Sequence, residues 1–151
     1  MEIIKKYPEL CLGGSTIIET INNESFPKSD IDIFLDYSKF FDLNSHQHDY
    51  DCIDKCKRDT DNSVLYIELY DYLTKFDFYL CSMDNISYDI EFCFSQKFYN
   101  EFSYIVNIVA VPYSFSVRTE QSPFFTFCNN YYDGKTFYAE SLDSIVNKWG
   151  V

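Results

Sequence analysis

The chain is predicted to be an α+β domain, a mixed sheet flanked by helices, and three observations predict it. Residues 30–37 alternate acid and apolar side chains with period two, the pattern of a half-buried strand. Residues 104–111 are apolar and β-branched, the pattern of a strand buried on both faces. Two segments instead carry apolar residues three and four apart, Ile17, Ile18 and Ile21 in one, and Leu65, Leu69, Tyr72, Leu73 and Phe76 in the other. A chain of 151 residues is long enough for one hydrophobic core and short for two, so residues 1–151 are read as one unit.

Taken in order, residues 7–12 form a short apolar run that stops at Gly13-Gly14, a strand entering a tight turn. Ser15 stands where a helix N-cap belongs, with Glu19 in the first turn, and Asn22-Asn23 followed by Pro27 close that helix. The strand at 30–37 comes next. Residues 38–61 are polar and charge-rich and read as a long loop. A helix is expected at 64–76, strands at 78–81 and 86–94, a connecting helical turn at 98–103, and the buried strand at 104–111. Residues 114–122 read as a loop and 123–128 as a strand. Asp133-Gly134 is a hairpin turn with a returning strand at 136–139, and a helix at 142–149 is ended by Gly150.

Aromatic residues, 14 Tyr and 15 Phe, supply much of the core because each buries a large area. The formal charge of −12 and pI near 4.4 repel phosphate backbones, so extended nucleic-acid binding is not expected. No stretch approaches the roughly 18 apolar residues of a membrane span, and the first ten residues lack the apolar run of a signal peptide. No membrane association is expected, and the location is read as cytoplasmic. The six cysteines are spread along the chain and read as reduced thiols.

The chemistry is concentrated between residues 12 and 35. Two carboxylates one residue apart on a strand point to the same face, about 6–7 Å apart along the chain. Asp30 and Asp32 have this spacing, while Ile31, Ile33 and Leu35 take the opposite face toward the core. Such a pair suits one or two Mg2+ ions, the cofactor that bridges a triphosphate and activates an attacking oxygen. The Gly13-Gly14-Ser15 turn before a helix lets backbone N–H groups approach phosphate closely.

The succession Leu12-Gly13-Gly14-Ser15, a helix, then Ser29-Asp30-Ile31-Asp32-Ile33-Phe34 resembles the signature of the DNA polymerase β-like nucleotidyltransferase superfamily. It is most similar to the nucleotidyltransferase-like proteins of large DNA viruses. Their C-terminal stretch is similar to Phe127-Cys128-Asn129-Asn130-Tyr131-Tyr132-Asp133-Gly134, with Leu142-Asp143-Ser144-Ile145 and Lys148 beyond. The resemblance implies a nucleotidyltransferase-like fold in which Asp30 and Asp32 are catalytic and hold Mg2+, while Gly13, Gly14 and Ser15 bind the nucleotide. It implies a nucleoside triphosphate as partner and a setting in the host cytoplasm or the virion.

The resemblance also implies a third carboxylate, on a later strand, as metal ligand and base. In the related viral chains it precedes the Asp-Gly turn, and here Phe124 takes its place. Asp89 and Glu91, another period-two pair, are candidate substitutes. No basic residue comes directly after Ser15, which leaves Lys28 and Arg118 as candidates to offset triphosphate charge. His46, His48, Cys52 and Cys56 offer four possible zinc ligands at a spacing unlike that of known fingers, and a polar loop is the simpler reading. Two functions therefore stand. One is a nucleotidyltransferase moving a nucleoside monophosphate to an acceptor. The other is a catalytically inactive homologue acting as an interaction or structural protein, with a protein partner or self-association.

Overall fold

The structure, a computed structural model, describes residues 1–26, 29–38, 58–88, 91–102, 104–111 and 130–147, with the backbone alone for 82–88 and 91–95. Its elements follow the chain as α1 (Glu2–Lys6), β1 (Leu10–Gly13), α2 (Ser15–Asn22), β2 (Ile31–Asp36), α3 (Val64–Lys75), β3 (Tyr79–Tyr88), β4 (Glu91–Tyr99), β5 (Ile105–Val111), β6 (Asn130–Tyr132), β7 (Phe137–Ala139) and α4 (Leu142–Asn147). The seven strands form one mixed sheet in the order β3-β4-β5-β2-β1-β6-β7. Among the described residues only β2 and β5 pair in parallel, over six residues from Ile31↔Val106 to Asp36↔Val111, and the other neighbours are antiparallel. The fold is α+β, as the two hydrophobic periodicities predict.

Strand alternation divides the sheet into two unlike faces. On one, Leu10, Leu12, Ile33, Leu35, Val106, Ile108 and Phe98 are buried in the main core, with Ile31 half-buried against it. The helices α1, α2 and α3 close that face with Ile3, Ile4, Ile17, Leu65, Leu69 and Leu73. Each fully buried aliphatic side chain there contributes about 1.5–3 kcal/mol. The opposite face carries a smaller apolar cluster of Cys11, Phe34 and Val111, with Val109 and Tyr131 packed against it.

Local chemistry sets the helix boundaries. Ser63 caps α3, its Oγ accepting from the backbone N–H of Tyr66 at 3.2 Å. Asn23 ends α2 in the left-handed region at φ 51, a conformation asparagine tolerates better than most residues. α4 is tied back to α2, where the Asn22 amide donates to the Ile145 carbonyl at 3.0 Å.

A buried polar side chain, that of Gln96, bridges a helix and a strand. Gln96 of β4 is 1% exposed; its Oε1 accepts from the Tyr66 hydroxyl, and its Nε2 donates to Asp61 Oδ1 at 3.3 Å. Burial pushes the Tyr66 phenol well above its ordinary range, so it remains a donor at all physiological pH. This bridge joins α3 to β4 and fixes which β4 residues face the helices.

Several expectations are corrected. The helical turn expected at 98–103 is absent: β4 runs to Tyr99, and Phe98 is fully buried opposite Val106. The strands expected at 78–81 and 86–94 have other bounds: β3 runs from Tyr79 to Tyr88 and β4 from Glu91 to Tyr99, so the second expected strand spans the end of one and the start of the other, which pair antiparallel. The loop expected at 38–61 ends in a helical turn at 58–61, and the first residues form α1. The expectations at 39–57, 114–122, 123–128 and 148–150 fall outside the described residues. Among the described residues no helix is long and apolar enough to cross a membrane.

Two outcomes test this packing. Gln96→Leu leaves the Tyr66 hydroxyl buried without its acceptor and is expected to cost about 1–3 kcal/mol in urea unfolding, with part of that loss recovered by adding Tyr66→Phe. At the β6–β7 turn, backbone N–H groups of Lys135 and Thr136 donate to Asp133 Oδ1 at 2.9 and 2.8 Å and hold its carboxyl below the usual range. A depressed folded value means stability that is present above about pH 3.9, the unfolded value, and is lost as pH falls through the folded one. The turn is exposed, so Asp133→Ala should cost at most about 1 kcal/mol near neutral pH and nothing at pH 2, as read from Tm.

Candidate functional site

The site lies on the face of the sheet opposite the helices, at the N-terminal end of β2. Asp30 immediately precedes the strand and Asp32 is its second residue, and their side chains stand on the same face as Phe34. Both carboxylates are half-buried. Ile31, Ile33 and Leu35 go to the helical core as alternation requires.

The residue that meets them comes from β5. Parallel pairing sets Asp32 opposite Asn107, and the Asn107 Nδ2 donates to Asp30 Oδ2 and to Asp32 Oδ1, each at 3.0 Å. One amide therefore bridges the two carboxylates across the strand gap. Hydrogen bonds to charged acceptors are the stronger kind, about 1.5–3 kcal/mol each when shielded. The Asn107 Oδ1 is buried and accepts no hydrogen bond.

The Gly-Gly-Ser turn is built against the same pair. Gly14 holds φ 70 and ψ −148, and a Cβ at that position would lie 2.7 Å from Asp32 Oδ2. Only glycine satisfies both the backbone conformation and the approach. At Gly13 a Cβ would meet the Phe34 ring at 2.7 Å. The positive end of α2 thus abuts the Asp32 carboxylate, a favourable placement of negative charge.

Ser15 departs from its expected role. Gly14 is the N-cap, Ser15 is the first helical residue, and no side chain caps the helix. The Ser15 Oγ donates instead to the Asp30 carbonyl at 3.4 Å, a long contact joining the turn to the carboxylate strand. Glu19 also turns inward: its Oε1 accepts from the Phe26 backbone N–H and, at 3.1 Å, from the Ser29 hydroxyl. Ser29 directly precedes Asp30, so α2 positions the start of the carboxylate strand from two sides.

A single row of side chains crosses four strands on this face. Gly13 pairs with Asp32, Asp32 with Asn107, and Asn107 with Lys97 of β4. Lys97 shares the face of Asn107 because paired residues project to the same side. The ion pairs among the described residues are Lys5–Glu2 and Lys6–Glu68, so Lys97 is committed to neither. It stands on the side of the carboxylates away from the Gly-Gly-Ser turn.

The structure brings Asp30, Asp32, Gly13, Gly14 and Ser15 together. Glu91 is not brought in: it lies six residues along β4 from Lys97, the β4 member of the site row, or about 20 Å of strand. Lys28, Asp89, Arg118, Phe124, His46, His48, Cys52 and Cys56 lie outside the described residues. Among the described residues no group of three or more His, Cys, Asp or Glu side chains could hold a metal ion. Asn107 and Lys97 are the residues sequence reading missed. A signal for Asn107 existed, since it is the one polar side chain in the apolar run Ile105-Val106-Asn107-Ile108-Val109. Comparison with known proteins finds no protein family, no curated protein and no solved structure that matches the chain.

The coupling of turn and strand is testable. Gly14→Ala forces a Cβ into the left-handed region and onto Asp32 and should cost roughly 2–4 kcal/mol in chemical unfolding. Asp32→Ala relieves the collision but not the backbone strain, so the double variant should recover part of the loss. Full additivity would mean that the two residues do not touch.

Proposed function

We propose that this chain is a nucleotidyltransferase-like domain that takes a nucleoside triphosphate with Mg2+ at Gly13, Gly14, Ser15, Asp30 and Asp32. The observation that carries the reading is the placement of the glycine turn directly against Asp32, with Asp30 beside it on the same face. The glycine turn leaves room for phosphate to approach backbone N–H groups at the α2 N-terminus. Asp30 and Asp32 offer the hard oxygen donors Mg2+ prefers, and the buried Asn107 Oδ1, which faces away from the pair here, accepts no hydrogen bond. Bound there, Mg2+ supplies charge neutralisation at the triphosphate and polarisation of an attacking hydroxyl.

The residues support nucleotide binding better than fast transfer. A base must accept the proton of the acceptor hydroxyl, and an amide does not do so near neutral pH. Asn107 therefore positions the carboxylates without replacing a third acid. Lys97, on the far side of the pair from the glycine turn, gives that side a positive charge in a strongly acidic protein.

A second reading, an inactive homologue serving as an interaction or structural protein of a virion or infected cytoplasm, draws on the other end of the sheet. There β7 is the last strand of the sheet among the described residues, and Tyr131 stacks on Tyr138 and Tyr132 on Phe137, at 5.0 and 4.5 Å between centroids. Phe137 and Tyr138 remain 52% and 44% exposed. Exposed aromatics on an edge strand suit association with another chain.

Calorimetric titration separates the two. Mg2+ with ATP, CTP, GTP or UTP should release or absorb heat with the unaltered chain, and an Asp30→Asn, Asp32→Asn variant should bind at least about tenfold more weakly. If no triphosphate binds with or without Mg2+, the nucleotide reading is lost and the interaction reading stands.

A further inference from the structure

Resting on the reading of Asp30 and Asp32 as a divalent-cation site, we infer that Asn107 is an amide switch, which rotates to ligate the cation through Oδ1. In the geometry described, Nδ2 faces the pair and gives one hydrogen to each carboxylate, at 3.0 Å in both cases. Carboxylate oxygens favour this orientation, because an amide oxygen in the same place would meet two like partial charges. The amide oxygen is turned away, buried and without a hydrogen-bond donor.

Rotation of about 180° at the terminal side-chain torsion exchanges the two atoms with almost no change of shape. That torsion is broad and roughly two-fold for asparagine, so both orientations are ordinary conformations. After the exchange, oxygens of Asp30, Asp32 and Asn107 converge from adjacent parallel strands, the all-oxygen surroundings Mg2+ prefers. The rotation gives up two hydrogen bonds to carboxylates, so it is unfavourable without the cation and favourable with it. The register Asp32↔Asn107 keeps the amide in place for both states. A neutral ligand replaces what could have been a third negative charge, so the site should bind the ion more weakly than a three-carboxylate site and release it readily.

The test is nuclear magnetic resonance of the full-length 15N-labelled chain titrated with Mg2+ alone. The Asn107 side-chain NH2 pair is identified as the pair absent from Asn107→Asp. The expected result is a saturable movement of that pair, as both protons leave their carboxylate acceptors, which is absent from the Asp30→Asn, Asp32→Asn variant. Asn107→Asp should bind Mg2+ on the order of tenfold or more tightly, because ligand charge sets affinity. Its Tm should rise more with Mg2+ than that of the unaltered chain. Mn2+ broadening of the Gly14 and Asp32 backbone signals reports ion binding at the pair independently of the amide. If Mn2+ broadens them while Mg2+ at saturation leaves the Asn107 pair unmoved, the switch is overturned and the cation site stands. If neither ion affects any of these signals, both the switch and the cation reading fall.

Discussion

The parallel pairing of β2 with β5 is the constraint on which the site depends. Every other strand contact among the described residues is antiparallel, and β1, which carries the glycine turn, is β2's other neighbour. Parallel pairing requires a long connection, and the chain supplies it with everything between Asp36 and Ile105, including α3 and the β3–β4 hairpin. Returning in register, β5 delivers Asn107 opposite Asp32. A slip of one residue would instead place Val106 or Ile108 there and send Asn107 into the helical core. The burial of Val106 and Ile108, both 2% exposed, makes that slip costly, so the hydrophobic core fixes the polar contact on the other face.

That dependence explains what could be read directly from the sequence. Asp30 and Asp32 were legible because strand alternation is a local signal, with acids on one parity and Ile31, Ile33 and Leu35 on the other. The glycine turn was legible because only a demanding backbone uses two glycines before a helix, and Gly14 at φ 70 meets that demand. Asn107 was hidden because its meaning comes from a partner 75 residues away. In isolation it looked like an interruption in an apolar strand. Lys97 was hidden in the same way, since its place beside the site follows from pairing and not from its neighbours in the chain.

The misplaced boundaries have related causes. The end of β4 looked helical because Phe98, Tyr99 and Phe102 are spaced for either structure, and tertiary pairing with β5 decided for strand. Ser15 looked like a cap because serine favours that position, yet the close approach to Asp32 requires Gly14 there. The Ser15 hydroxyl is consequently directed to the Asp30 carbonyl. In both instances a contact remote in sequence outweighed a local preference worth less than about 1 kcal/mol.

Charge balance gives the arrangement its final logic. Asp30 and Asp32 are close enough to repel when both are ionised, and the protein carries twice as many acids as Lys and Arg, 24 against 12. A third carboxylate at Asn107 would deepen that repulsion unless a cation were bound, whereas the amide meets both acids with donors and adds no charge. The fold can therefore hold the two carboxylates in place before any ligand arrives. The helix N-terminus at Gly14 reinforces this from the other side, because its partial positive charge faces Asp32 Oδ2. Preorganisation of this kind lowers the cost of binding whatever ligand the carboxylate pair takes.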